Sequence, residues 1–333
     1  MSEMRDLIAT LPTQLRWAAD LDRPRVPPAK SAVVAGMGGS GIAGDVAAVV
    51  AESESTRVTV HKSYGLPSWV RDELVVAVSH SGNTEETLSG ARAAVAAGIP
   101  WVAVATGGRL LEDADASGAA RVDIPFSPQP RAAFGYLAGG VLRVLEASGV
   151  VGDQTGALRE AADVVEGALA GPAHEAASEI ADRLAGRVAV VYGGSGVGAV
   201  AANRWKTQIN ENGKTPAYWS ALPELDHNEI VGWSAHPELG RESIGVVFLH
   251  DAGDHPRIAL RARLTRELIT PTTTVAADVS SLGVGVLARL FSLTIVGDLV
   301  SVGLAERAGI DPAPVAVIED LKKRLATQPG GST

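Results

Sequence analysis

Two polar clusters carry residue types that can move protons. The first runs Trp205-Lys206-Thr207-Gln208-Ile209-Asn210-Glu211-Asn212-Gly213-Lys214, the second Leu222-Pro223-Glu224-Leu225-Asp226-His227-Asn228-Glu229. Glu211 falls where a helix should end, between two asparagines, and His227 lies in a loop 16 residues later. A carboxylate held over an open-chain sugar can carry a proton between neighbouring carbons through an enediol, acting first as base and then as acid. That step interconverts an aldose and a 2-ketose. A neutral imidazole or a lysine can shuttle the proton that opens a cyclic sugar. Plainer readings stand beside these: Glu211 as a helix-end ion pair with Lys206 or Lys214, and His227 as a solvated loop residue.

Two loops are suited to anions. Ser79-His80-Ser81-Gly82-Asn83-Thr84 follows the strand-like run Leu74 to Val78 and precedes the helical stretch Glu85 to Ala97. The unpaired N–H groups of a first helical turn, the positive end of its dipole and three hydroxyls would converge on a phosphate there. The competing reading is an ordinary cap by Asn83 or Thr84, with Glu86 completing a capping box. Gly36-Met37-Gly38-Gly39-Ser40-Gly41 fits G-x-G-x-x-G between a strand and a helix, a weak dinucleotide signal when alone. The acid that should hold the ribose is missing, because the next strand, Arg57 to Val60, runs into His61 and Lys62. No dinucleotide and no other cofactor is expected, and Ser40 is read as a second phosphate contact. Arg131, just before the helical Phe134 to Leu145, could steady an enediolate oxygen or form a surface ion pair. His250-Asp251 and Asp254-His255 read as helix-start residues, since metal ligand sets of that spacing are not specific. No metal site is expected.

The elements that must position these residues form a repeated pattern. Val33 to Gly44 and Val190 to Gly198 look like two copies of one strand, glycine loop and helix, which suggests an internal duplication. Further strand-like runs at Trp101 to Ala105, Ser243 to Leu249 and Thr272 to Ala276 alternate with helical stretches. Such alternation predicts an α/β fold with mainly parallel sheets flanked by helices and ligands at the carboxyl ends of the strands. With 333 residues, 46% of them hydrophobic, the chain is long enough for two halves. They are placed at 1–150 with an N-terminal helix and at 151–333 with a C-terminal helix, and the helical segment Val150 to Ala185 joins them. The last residues, Gln328 to Thr333, should be loose.

Bulk properties exclude several classes. The formal charge of −9 and the lack of a basic run argue against nucleic acid. The chain contains no cysteine, which removes disulfides and thiol chemistry and suits a reducing, cytoplasmic setting. Met1 to Asp22 reads as an amphipathic helix and not as a signal peptide. Leu282 to Leu304 is apolar enough to suggest a membrane span, but Arg289 and Asp298 interrupt it at costly positions, so a buried core or interface helix is expected.

Together, Met37-Gly38-Gly39-Ser40, Ser79 to Thr87, Pro130-Arg131-Ala132-Ala133, Asn210-Glu211-Asn212 and Pro223 to Glu229 resemble the bifunctional phosphoglucose/phosphomannose isomerases of the sugar isomerase (SIS) domain superfamily. The match spans nearly the whole chain in the right order. The resemblance implies two SIS-type subdomains, each an αβα sandwich, and interconversion of fructose 6-phosphate with glucose 6-phosphate and mannose 6-phosphate without a cofactor. It implies phosphate binding by Gly39, Ser40, Ser79, Ser81 and Thr84, proton transfer by Glu211 and enediolate stabilisation by Arg131. Ring opening would fall to His227 and Lys322, with Lys323 adjacent. It implies a homodimer in which His227 crosses the interface to act on a phosphorylated hexose in the partner's site. Two departures stand out: Ala313 in Asp-Pro-x-Pro, where many relatives carry the threonine linked to accepting both C2 epimers, and His80, where tyrosine is common. The alternative is a non-catalytic SIS protein that senses a sugar phosphate; such regulators usually carry a DNA-binding extension, and no helix-turn-helix is read here.

Overall fold

A computed structural model describes residues 3–328. Of the expected loose tail, all but Gln328 lies outside the described residues. Helices α1 (Glu3–Ala9) and α2 (Leu11–Asp20) lead into the first sheet. There follow β1 (Ser31–Ala35), α3 (Gly38–Ser53), β2 (Arg57–His61), β3 (Leu74–Ser79), α4 (Glu85–Ala97), β4 (Trp101–Ala105), α5 (Arg109–Ser117) and β5 (Ala120–Asp123). Helices α6 (Phe134–Ser148), α7 (Thr155–Leu169) and α8 (Pro172–Leu184) connect to a second unit. It comprises β6 (Val188–Gly194), α9 (Val197–Glu211), β7 (Ala217–Leu222), α10 (Pro237–Ser243), β8 (Ile244–His250), α11 (Pro256–Ile269) and β9 (Thr274–Ser280). Helices α12 (Val286–Arg307) and α13 (Ala316–Thr327) close the chain.

Both sheets are parallel throughout, in the orders β2-β1-β3-β4-β5 and β7-β6-β8-β9. Four strands of each occupy matching places, so the sequence repeat is also a repeat of topology. The chain leaves the first strand of each sheet, β1 or β6, for one neighbour and then returns to the other. That creates switch points between β1 and β3 and between β6 and β8, where loops part and leave a crevice. The fully buried runs Leu74–Ser79 and Trp101–Ala105 are apolar except for the terminal Ser79, because helices cover both faces of the sheet.

The two halves share one core. A continuous apolar cluster includes Met4, Val34, Leu137, Leu158, Val191, Trp205 and Phe291. Helix α12 runs through it with its central residues buried, and it is long and apolar enough to cross a membrane by composition alone. Its interruptions explain its place. Asp298 is bonded to Arg204, and Arg289 to Asp251. Trp205 packs flat on Gly297, where a β-carbon would stand 2.4 Å from the ring. The helix is thus the core element that the interrupted apolar run predicted.

Two strands, β5 and β7, were not among the expected elements, and β9 starts two residues later than its expected run. Both unpredicted strands are edge strands with exposed residues, so neither shows a continuous apolar run.

Candidate functional site

The crevice between β1 and β3 gathers the hydroxyl residues. Ser79 ends β3 and is buried, and its Oγ lies 2.8 Å from Oγ1 of Thr84. Thr84 stands at the start of α4 but makes no side-chain cap bond, and Glu86 completes no capping box. The capping alternative therefore fails, and the first-turn N–H groups of α4 are left to face the crevice. Helix α3 likewise starts without a side-chain cap, and Ser40 in its first turn is buried. Ser81 is exposed, and its Oγ accepts the N–H of Asn83 at 3.2 Å. Asn83 braces the loop, its Nδ2 donating to the Ser81 carbonyl at 3.0 Å and its Oδ1 accepting the N–H of Arg109 at 3.1 Å. Gly82 has φ +68, and a β-carbon there would strike the Gly107 carbonyl oxygen at 1.8 Å. The loop is therefore held between α4 and the start of α5.

Arg131 links this crevice to the second half. It lies on a short 3-10 turn, Pro130–Ala132, and is 5% exposed. A β-carbon on Gly39 would stand 3.8 Å from its Cα, so its backbone borders the glycine loop. Its Nε donates to Asn212 Oδ1 at 2.5 Å, its Nη1 to Gln129 Oε1 at 2.8 Å, and its Nη2 to the carbonyls of Pro312 and Ala313 at 2.7 and 2.9 Å. Its Nη1 also lies 4.0 Å from Oε2 of Glu211. Burial lowers the guanidinium pKa, while the Glu211 carboxylate raises it. Arg131 is not a surface ion pair.

Glu211 ends α9, with a half-buried side chain. The helix-end ion pair with Lys206 or Lys214 is not formed. Lys214 turns its ammonium instead to the carbonyls of Glu211, Pro312 and Pro314. A cavity of about 680 Å³ opens beside Glu211 and Lys214, and its other walls are Asn210, the turn at Thr215 and the residues from Ile310 to Ile318. All of this lining comes from the second half and the C-terminal segment.

Among the described residues no hydrogen bond, ion pair or shared cavity lining joins His227 to Glu211 within one protomer. Alternating residues of β6 and β8 divide the second unit into two layers. Val191 and Val247 join α9 in the large core, whereas Tyr192 and Phe248 pack with Leu225, Ile258 and Ala262 on the other face. The turn that carries His227 therefore packs, through Leu225, on the face of the second sheet opposite α9. The turn that carries His227 is firmly built. Asp226 accepts from Arg261 at 2.8 Å and Thr265 at 2.7 Å, and Glu229 accepts from Tyr192 at 2.5 Å and from Ser220. His227 itself is exposed. Lys322 and Lys323 are both exposed on α13.

Of the two histidines read as helix-start residues, His255 caps a helix, whereas His250 does not and instead ends strand β8. His255 is the N-cap of α11, its Nδ1 accepting the N–H of Arg257 at 3.1 Å, and His250 faces Asp278 at 2.9 Å. Among the described residues no group of three or more His, Cys, Asp or Glu is placed to hold a metal ion. Lys62 bonds Asp45 at 2.5 Å beside the glycine loop. Three contributors were missed in the sequence: Asn212, Gln129 and the ammonium of Lys214. Asn212 lies inside the quoted Asn-Glu-Asn motif, and its complete burial marks it as a partner and not a surface residue.

A doubled, all-parallel α/β protein with an uncapped, hydroxyl-lined crevice at one switch point and a carboxylate next to a buried arginine has the architecture of a sugar isomerase domain pair. The family described as bacterial phospho-glucose isomerase C-terminal SIS domain matches residues 173–325. The chain is 38% identical to the bifunctional phosphoglucose/phosphomannose isomerase of Aquifex aeolicus, over 98% of this chain and 99% of that one. It is 31% identical to the D-glucosamine-6-phosphate 4-epimerase of Sulfolobus acidocaldarius, over 92% of this chain and 93% of that one. Its fold is also that of tagatose-6-phosphate ketose/aldose isomerase from Escherichia coli, with a TM-score of 0.70 and 15% identity over 93% and 94% of the two chains. The chain belongs to the family of bifunctional phosphoglucose/phosphomannose isomerases.

Proposed function

We propose that this protein interconverts fructose 6-phosphate with glucose 6-phosphate and mannose 6-phosphate. The observation that carries the reading is the placement of Arg131, whose backbone borders the Gly39 loop and whose guanidinium lies 4.0 Å from Glu211, in a chain whose Ser79–Thr84 hydroxyl pair closes the strand next to β1. Phosphate is held by Ser40, Ser79, Ser81 and Thr84, by the N–H groups at the starts of α3 and α4, and by the open approach at Gly39. With the anionic end fixed, the open-chain sugar extends toward Glu211. From the ketose, the Glu211 carboxylate takes a proton from C1, and the electron pair forms the C1–C2 double bond of the enediol. Charge gathering on the carbonyl oxygen meets the Arg131 guanidinium, which burial leaves poorly hydrated and strongly interacting. The proton then returns to C2 while the hydroxyl proton of O1 passes to O2, so that C1 becomes the aldehyde and the face protonated at C2 sets the epimer.

Ring opening moves a proton onto the ring oxygen and another off the anomeric hydroxyl. We assign these to His227 and Lys322. Because the turn that carries His227 packs on the face of the second sheet opposite α9, we assign a homodimer in which each site takes its histidine from the partner. The same reading divides the chain after residue 150, next to Gly149, whose φ of +79 ends α6, and places the protein in the cytoplasm, which the cysteine-free composition suits.

The test is turnover of fructose 6-phosphate in EDTA, followed by a mixing experiment. Glu211→Gln and His227→Asn are each nearly inactive alone. Co-refolded as heterodimers, they place both lesions in one site and leave the other intact, so activity returns. If mixing restores nothing while each variant still dimerises, His227 does not cross the interface. If the wild-type protein converts none of the three sugars, the reading fails.

A further inference from the structure

The segment Asp311–Val315 has its carbonyls turned inward on two cations that flank Glu211. Arg131 holds those of Pro312 and Ala313, and Lys214 holds those of Pro312 and Pro314 at 3.0 and 2.5 Å. The third donor of Lys214 goes to the carbonyl of Glu211 itself, at 2.5 Å. We propose that Lys214 is a positioning residue, a three-point clasp that fastens the Pro312–Pro314 strap to the helix end carrying Glu211, and so fixes the strap and α13 relative to that carboxylate. The proposal rests on the reading of Glu211 as the proton carrier.

Three features carry it. An ammonium has three donors and no acceptor, so Lys214 with three carbonyl partners is saturated and has no role as a base. Its backbone has φ +51, the left-handed region that a non-glycine residue enters at a cost of about 1–3 kcal/mol and keeps only where its surroundings demand it. Gly213 immediately precedes it, so the chain does have glycine at this turn, yet the residue in the left-handed conformation is the one with the ammonium. The strap in turn is the root of α13, which carries Lys322. Helix α13 has an exposed apolar side at Val317, Leu321 and Leu325, so the strap is its main described anchor to the protomer. The ammonium pKa is lowered by desolvation first and then by Arg131, with Glu211 and Asp311 opposing, so the clasp releases at a lower pH than a free lysine would lose its charge.

Three variants separate this role from simple support of the fold. Lys214→Met keeps the apolar stem and removes the donors. Lys214→Gly relieves the left-handed backbone, so a purely structural residue would tolerate it or gain stability. Lys214→Arg keeps a cation of high pKa. The expected result is that Met and Gly variants lose about 10- to 100-fold in kcat, the size of a misplaced reacting group. The inhibition constant of inorganic phosphate should stay within about twofold of wild type, because its cluster lies in the first half. Hydrogen exchange should accelerate at Ala313 and Val315–Ile318. The Arg variant should recover most of kcat and move the alkaline limb of its pH profile upward. Unchanged strap exchange in both Met and Gly variants would overturn the clasp, whatever happens to kcat. Accelerated exchange in a protein whose wild type converts no hexose phosphate would leave the clasp standing and remove the isomerase reading instead.

Discussion

The guanidinium Nη1 of Arg131 lies 4.0 Å from Oε2 of Glu211 while its Nε bonds Asn212 Oδ1, so one buried side chain touches both residues at the end of α9. The planar fork allows this: five donors fixed in one plane reach the side chains of Asn212 and Gln129 and two carbonyls while one edge stays toward the carboxylate. Lysine has neither the span nor the number of donors. Arg131→Lys is expected to lower kcat by about 10²–10³-fold, as does removal of a donor facing a developing oxyanion. Steady-state rates in both directions check this, and a loss below about tenfold would remove Arg131 from charge stabilisation.

Glu211→Gln keeps the size of the side chain and abolishes its basicity. Turnover should fall by about 10²–10⁴-fold, the range of general acid–base catalysis. Binding of inorganic phosphate, measured by calorimetry, should not change, because the hydroxyl cluster is not part of the cavity that Glu211 lines. Exchange of the C1 or C2 proton with solvent deuterium should fall in step with turnover. Near-normal exchange would place the base elsewhere.

Ser79→Ala and Thr84→Ala each break the 2.8 Å hydroxyl pair and remove a donor to the anion. A hydrogen bond to a charged group is worth about 1.5–3 kcal/mol, so the KM of the sugar phosphate and the inhibition constant of free phosphate should rise together by about ten- to a hundredfold. A rise in one without the other would mean that these hydroxyls do not hold phosphate.

Much of this arrangement was legible in the sequence because its cues are local. The runs Leu74 to Val78 and Trp101 to Ala105, the helix from Glu85 to Ala97 and the glycine loops mark strands, helices and their junctions within a few residues. The position of Glu211 at a helix end was local too. What could not be read depends on contacts between distant segments. Arg131 meets Pro312 across 181 positions, and Lys214 meets Pro314 across 100. The edge strand Ala217–Leu222 follows a polar cluster and has exposed residues, so its period was masked. That the turn carrying His227 packs on the far face of its own sheet follows only from the alternation of Val191 and Tyr192 against different layers.

His80 is buried between the two serines, and its pKa is lowered by desolvation. The N–H of Ser127 donates to its Nε2 at 3.3 Å, so the ring proton sits on Nδ1 and the neutral form is the one the fold accommodates. The unfolded chain binds a proton at His80 from about pH 6.5 downward, and the folded chain only at lower pH. Between those values the unfolded state carries more protons, so stability falls as pH falls, and the full contribution is present above about pH 6.5. Urea midpoints measured from pH 8 to 5 should decline for wild type and decline less for His80→Gln, which keeps an acceptor without a titrating ring. Parallel curves would show that His80 does not contribute to the slope.

Arg204 and Asp298 form an ion pair at 2.6 Å with both side chains almost wholly buried between α9 and α12. Gln208 adds a bond to Asp298 at 3.2 Å, and the Arg204 guanidinium lies 3.8 Å from the centre of the Phe134 ring. Burial raises the Asp298 pKa, and the adjacent arginine opposes that shift. Removing one partner leaves the other charge unpaired in the core, so Arg204→Met or Asp298→Leu alone should cost about 3–5 kcal/mol, while the double variant should recover most of the loss. The pair also bears on the site. Arg204 donates to the carbonyl of Arg131 at 3.2 Å, so the double variant restores the core without restoring that bond. Its unfolding free energy should approach wild type while its kcat stays below it. Recovery of both together would show that the link from Arg204 to Arg131 has no part in placing the guanidinium.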